Sequence, residues 1–379
     1  MVETTRTIVI SGYYGFGNSG DEAVLQAIVN ALRAQAEAQQ IGLRMIVLSA
    51  NPELTRKQYG VEAVSRTSIK QIWSAIRYSD AFVSGGGSLL QDVTSKKTIP
   101  YYLLLIKFAQ YLGKPTFIYA QGIGPVRAPR FHQWIASVFN KAKGITVRDP
   151  ESADYLTKIG ISSDRVHQVP DPVMGLYADR TATRPPRAST KEVIGVAVRS
   201  WQTNHRELRE IGKALAIIAQ QREVKVKMLP FHQPNDVHAS YIVVESMIDA
   251  GASQVEVEWI NDAFINPLEM MDEVQLCDVL IGMRLHSLIY AATRFVPCVA
   301  ISYDPKIDQF MQLINEQVVG NTQTVIAEQI ADQTIDLLDQ GPFWLLNRRT
   351  LIEELQQQAH LPAKMIFETL NGMQGVGES

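Results

Sequence analysis

The chain has 379 residues, of which 46% are hydrophobic, 8% aromatic and 20% charged. That balance excludes wholesale disorder and suits about two domains. With 36 basic against 39 acidic residues the net charge is −3, which argues against a strongly basic nucleic-acid binder. Cys277 and Cys298 lie in apolar runs and read as buried free thiols, as in a reducing cytoplasm. No secretory h-region opens the chain. The longest apolar stretch, IPYYLLLIKFAQYLG, is broken by Lys107, so no membrane span is expected.

Short β-branched runs alternate with amphipathic segments. TIVIS (7–11) predicts a strand and 21–40 a helix, with Val24, Leu25, Ile28, Val29 and Leu32 at helical spacing. Strands follow at 43–49, 80–84, 115–120, 144–149 and 166–171. Helices are expected at 68–77, 99–112, 131–142 and 151–159. The polar stretch 178–192, with two prolines, predicts a linker. Alternation then resumes, with strands at 192–200, 224–231, 255–260, 278–283 and 296–302. Helices are expected at 206–221, 235–250, 267–276 and 285–292, and a helical tail at 325–338 and 345–371. The pattern predicts an α/β protein of two Rossmann-like, doubly wound domains facing a cleft, at 1–177 and 193–340, with a tail at 341–379. Ligands in such sheets bind beyond the carboxyl ends of the strands.

Those ends carry the unusual residues. GYYGFGNSGDEA (12–23) lacks the Gly-Lys-Ser/Thr of a P-loop, and Asp21 and Glu22 make its helix start a poor phosphate cradle. Gly17, Asn18, Gly20 and Asp21 suit a ligand rich in hydroxyls. SGGGSLLQD (84–92) allows close backbone approach at Gly86 and Gly87. Ser88 and Gln91 can read sugar hydroxyls there, and Asp92 can accept a proton. AQGIGP (120–125) reads more simply as a turn. In TVRDPES, Arg148 is a candidate anion contact and Asp149 a helix N-cap. In the second half Arg199 ends a strand, His232 and Gln233 follow another, and GMRLHS gathers Arg284, Leu285, His286 and Ser287 at a helix start. Arginine, histidine and free helix N–H groups together suit a small dianion. Tyr303 and Lys306 lie after the last strand. No His, Cys or carboxylate spacing predicts a metal site.

In these blocks the sequence resembles the polysaccharide pyruvyl transferase family, in particular bacterial members that modify cell-wall polymers anchoring surface-layer proteins. The ordered blocks GYYGFGNSGDEA, SGGGSLLQD, AQGIGP, VRDPES, VPDPV, GVAVR and MRLHS carry the resemblance over about residues 8–305. It implies a GT-B-like architecture and a cytoplasmic enzyme, with phosphoenolpyruvate as donor and no other cofactor. The implied product is a pyruvate ketal on a sugar, with N-acetylmannosamine of a lipid-linked precursor as acceptor. Peripheral contact with the inner membrane face and homo-oligomer formation are compatible with it. Donor binding then falls to Arg148, Arg199, Arg284, Leu285 and Ser287. His286 becomes the candidate acid, and Asp21 or Asp92 the candidate base. The rival readings are a nucleotide-sugar glycosyltransferase, with Asp304 or Asp308 reading a ribose, and a non-catalytic sugar- or anion-binding protein.

Overall fold

The computed structural model describes residues 5–92, 97–177, 191–260 and 266–375. The chain forms two compact units: Met1–Leu176 with Leu355–Ser379, and Tyr177–Glu354. The first comprises β1 (Thr5–Ser11), α1 (Ser19–Ala38), β2 (Gly42–Ser49), α2 (Pro52–Tyr59), β3 (Glu62–Ser65), α3 (Ile69–Arg77), β4 (Ala81–Ser84), β5 (Gly87–Leu90), α4 (Thr98–Tyr111), β6 (Thr116–Ile123), α5 (Arg130–Phe139), β7 (Gly144–Val147), α6 (Pro150–Lys158) and β8 (Val166–Gln168). Its parallel sheet runs β3-β2-β1-β4-β6-β7-β8, with β5 also paired to β6. Ile8, Val9 and Ile10 are fully buried because strands covered on both faces have no solvent side. One apolar cluster joins the inner faces of α3, α4, α5 and α6 to the sheet.

The second unit comprises β9 (Glu192–Ala197), α7 (Arg206–Gln221), β10 (Val224–Met228), α8 (Asn235–Asp249), β11 (Glu256–Trp259), α9 (Pro267–Gln275), β12 (Val279–Gly282), α10 (Leu285–Thr293), β13 (Cys298–Ser302), α11 (Pro305–Leu313), β14 (Val318–Asn321), α12 (Ala327–Gln340) and α13 (Pro342–Gln358). Its parallel sheet, β11-β10-β9-β12-β13-β14, reverses direction between β9 and β12. The first sheet reverses likewise between β1 and β4. Both units are therefore doubly wound, each with a switch point where ligands bind. Cys277 and Cys298 are buried free thiols.

Several elements depart from the sequence expectation. The expected loop at 84–92 contains β5, because Leu89 and Leu90 are buried and the Leu90 carbonyl accepts from Gly124 N at 2.8 Å. The loop expected after residue 302 contains α11, started by Asp304 as N-cap and Pro305 in its first turn. The long tail helix is two, α13 and α14 (Leu361–Gly375). From Leu355 the chain belongs to the first unit, where α14 packs on α1, β6 and β7 and the Leu370 carbonyl accepts from Arg6 Nη2 at 3.2 Å. Residues 178–190 of the expected linker lie outside the described residues, and Glu192 already opens β9.

Candidate active site

In the first unit, Asn18 caps α1 by accepting from Gly20 N at 3.1 Å. Glu22 is buried and ties down the preceding turn, accepting from Gly15 N at 2.8 Å and from the Tyr59 hydroxyl at 2.7 Å. Asp21, between these anchored neighbours, is half-buried. Its carboxyl is crowded by protein atoms, and burial pushes its pKa from the ordinary 3.8 up to about 7. The Arg148 guanidinium opposes that rise, while the carboxylates of Glu22 and Asp171 add to it. The positive end of α1 favours an ionised carboxylate by only about 0.3–1 kcal/mol, too little to reverse a rise of this size. Asp21 can thus gain and lose a proton near neutrality.

A glycine faces Asp21. A Cβ on Gly87, whose φ is +93°, would lie 3.2 Å from Asp21 Oδ1. Gly86 has a different reason to be small: a Cβ there would come within 2.8 Å of Val24 Cγ1 on α1. Gly12 and Gly85 leave room for the fully buried ring of Tyr14. Below this layer, Gln121 Nε2 donates to Ser84 Oγ at 2.7 Å and to the Gly85 carbonyl at 3.0 Å, clamping the glycine turn. Arg148 donates to Asp171 Oδ2 at 2.6 Å and to Ser88 Oγ at 3.0 Å, with both partners of the ion pair buried. Gly122 makes space for it, since a Cβ there would meet Arg148 Nε at 2.9 Å.

In the second unit, Ala197 of β9 pairs with Gly282 of β12, so Arg199 and Arg284 leave adjacent strands at equal distances beyond the switch point. Arg199 Nη1 donates to the Tyr303 hydroxyl at 3.0 Å. Its guanidinium carbon lies 4.8 Å from the Tyr303 ring centre and 5.3 Å from that of Trp201. Trp201 is exposed. Its amide and that of Gln202 donate to Glu207 Oε1 at 3.0 and 3.1 Å, so a buried glutamate sets the turn that presents the indole. Arg284, the N-cap of α10, donates through Nη2 to Asp236 Oδ1, while Asp236 Oδ2 accepts from the amides of Phe231 and His232 at 3.1 and 2.8 Å. Nε of both Arg199 and Arg284 is buried without a hydrogen-bond partner among the described residues. His286 stands in the first turn of α10, two residues beyond Arg284.

A family model for polysaccharide pyruvyl transferase matches residues 18–305. The chain belongs to that family. It is also similar to the amylovoran biosynthesis protein AmsJ of Erwinia amylovora, at 24% identity over 298 residues, covering 72% of this chain and 68% of that protein. Among solved structures, a putative UDP-N-acetylglucosamine 2-epimerase from Listeria monocytogenes superposes with a TM-score of 0.64 at 10% identity, covering 98% of this chain and 97% of the other. Anabaena Alr3699/HepE, in complex with UDP and glucose, gives 0.59 at 12% identity over 97% of this chain and 100% of its own. These likenesses place the chain in the GT-B fold.

Several predicted site residues of this family member have internal tasks. Asn18 and Gly20 satisfy each other at the start of α1, and Gly86 is a packing glycine. Gly17, by contrast, is exposed, with φ at +73°. Ser287 is fully buried and donates to the Arg284 carbonyl at 2.7 Å, so it holds the Arg284 backbone instead of reaching a donor. Leu285 is half-buried beside it, as Gln91 is at the end of β5. Arg148 belongs to the first unit, with its guanidinium spent on Asp171 and Ser88. It acts on the site by orienting Ser88 and by opposing the rise at Asp21. Asp149 is the N-cap of α6, accepting from Ser152 N at 2.7 Å.

Asp92 is a turn clamp, unlike the base expected of it. Its two carboxyl oxygens accept from Arg127 N at 2.8 Å and Ala128 N at 2.9 Å, and these amides hold its pKa below the usual range. Asp92→Ala is expected to cost about 0.5–1.5 kcal/mol of stability through the lost hydrogen bonds while leaving kcat nearly unchanged, as thermal melts and steady-state rates would check. The residues that sequence reasoning missed are Asp171, Gln121, Gly122, Asp236 and Glu207. Asp171 was within reach, since VPDPV is one of the family blocks. Asp236 and Glu207 gave no local signal because each meets its partners only through the turns of the second sheet.

Proposed function

We propose that the protein transfers the enolpyruvyl group of phosphoenolpyruvate to a sugar, forming a pyruvate ketal and releasing phosphate. The acceptor we assign is N-acetylmannosamine of a lipid-linked precursor of a cell-wall polymer that anchors surface-layer proteins, at the cytoplasmic side of the membrane. The observation that carries the donor assignment is the pair of guanidinium groups at the switch point of the second sheet, each with a buried, unused Nε–H. A phosphate and a carboxylate on one small molecule use such donors better than a neutral sugar does.

His286 protonates the methylene carbon, which makes carbon 2 electrophilic. A sugar hydroxyl, its proton taken by Asp21, then attacks carbon 2. The bond from carbon 2 to the phosphate oxygen breaks, and a second hydroxyl closes the ketal. Of the two hydroxyl protons, one balances the new methyl group and the other leaves with phosphate. We assign the acceptor side to Gly87, which faces Asp21, with Ser88 and Gln91 after it on the same strand end, and no cofactor enters the scheme.

Two carboxylates that a nucleotide-sugar reading would use each already accept an internal hydrogen bond: Asp304 from Lys306 N at 3.0 Å, and Asp308 from the Ser302 hydroxyl. Incubation with phosphoenolpyruvate and a β-N-acetylmannosaminide should release phosphate and give a pyruvylated sugar by mass spectrometry. Turnover of a UDP-sugar in place of phosphoenolpyruvate would overturn the reading. Tyr303→Phe removes the hydroxyl that steadies Arg199 and is expected to raise KM for phosphoenolpyruvate about three- to tenfold, with a smaller change in kcat.

A further inference from the structure

We infer that the outer face of α3 and α4 docks on an anionic lipid bilayer. The inner sides of both helices enter the same core, so their outer sides lie on the same side of the first unit. The Tyr101 hydroxyl of α4 donates to the Arg66 carbonyl at 2.8 Å, just before α3 begins, and ties the two helices together. That surface exposes large apolar side chains: Ile69 at 84%, Trp73 at 42% and Tyr78 at 69% from α3 and its end, and Leu104 at 56% and Tyr111 at 85% from α4. Ile69, Trp73 and Arg77 recur every fourth residue, and Leu104, Lys107 and Tyr111 share one helical stripe.

The charge is as one-sided as the apolar exposure. Between Glu62 and Asp80 the chain has three basic residues and no acidic one, and between Asp92 and Asp149 it has nine basic and no acidic one, in a protein of net charge −3. Lys70, Arg77, Lys107 and Lys114 belong to these stretches, and none forms an ion pair among the described residues. The Arg77 guanidinium lies 5.1 Å from the centre of the Trp73 ring. By contrast α1 carries Asp21, Glu22 and Glu37 against a single Arg33. Aromatic and aliphatic side chains with unpaired cations between them match the interface of an anionic membrane, where the rings sit at headgroup depth and the cations meet lipid phosphates. A second copy of the same surface would set these cations against each other, and a nucleic acid would leave Ile69 and Leu104 without a partner. No described helix is long and apolar enough to cross a membrane, so the contact is peripheral.

The docking stands on this surface alone and does not depend on the identity of the donor. Its test is flotation of the full chain with vesicles of phosphatidylcholine, with and without phosphatidylglycerol. The protein should float with the anionic vesicles, separate from them in high salt, and ignore pure phosphatidylcholine. Lys70→Glu with Arg77→Glu, and separately Trp73→Ser with Tyr111→Ser, should each lower partitioning about tenfold or more. Melting temperature and phosphate release with a soluble acceptor should stay at wild-type levels. Equal flotation of wild type and both variants, no binding to anionic vesicles, or a change of oligomeric state in the variants would each overturn the inference.

Discussion

Asp21→Asn should nearly silence the enzyme while making it more stable. As the group we propose to take a proton from the acceptor hydroxyl, Asp21 is expected to contribute about 10²–10⁴-fold to kcat. In the wild type the rate should rise with pH through about 7 as Asp21 ionises, and that limb should vanish in the variant. The stability effect has the opposite sign. Asp21 holds its proton more tightly in the folded chain than in the unfolded one, because burial and the neighbouring carboxylates raise its pKa from 3.8 to about 7. Its contribution is therefore fully present below about pH 4 and is lost as pH rises to 7. Asparagine removes that loss. The gain at pH 8 should be about 2 kcal/mol, less than the full shift implies because part of the carboxyl faces water, and it should shrink to nothing at pH 4. Thermal melts at both pH values, beside pH–rate profiles, read the two effects separately. A variant that lost activity without becoming more stable at pH 8 would show that Asp21 is not a strained carboxyl.

The sheet strands were legible because burial on both faces leaves uninterrupted β-branched runs, as in TIVIS and VPCVAIS. The helix from Arg206 to Gln221 matches its expected limits because its apolar spacing is regular over four turns. Two of the elements missed carry little apolar signal. α2 buries only Thr55 and Tyr59, although Asn51 and Pro52 announced its start. β5 began inside a glycine run that reads as a turn. Residue type and strand-end position singled out Asp21, Arg199, Arg284 and His286 as candidates. They did not reveal which side chains were already committed. Asp92 and Asp21 look alike in sequence, yet one is held ionised by two backbone amides and the other is crowded toward neutrality. Ser287 and Gly86 follow the same logic: each looks free for a ligand in the sequence, and each is committed to holding its own turn or helix start.

Arg284→Ala should be the most damaging single change in the second unit, for two separable reasons. The Asp236 side chain is 1% exposed and depends on Arg284 for its countercharge. Removing that partner strands a buried carboxylate on two backbone amides, a loss of about 3–5 kcal/mol of stability. It also removes one of the two guanidinium groups assigned to phosphoenolpyruvate, which should lower kcat/KM by an amount equivalent to about 2–5 kcal/mol. Arg284→Lys keeps the charge, but a point charge cannot serve Asp236 and a second anion in the planar, forked manner of guanidinium, so it should recover stability better than activity. Combining Arg284→Met with Asp236→Asn deletes the charge pair together. Stability should then return to within about 1–2 kcal/mol of wild type, since no buried charge is left alone. Saturation by phosphoenolpyruvate should not return, because one of the two guanidinium groups we assign to it is gone. If the double variant regained both, Arg284 would be a structural partner of Asp236 and nothing more, and the donor site would have to be sought elsewhere in the second unit.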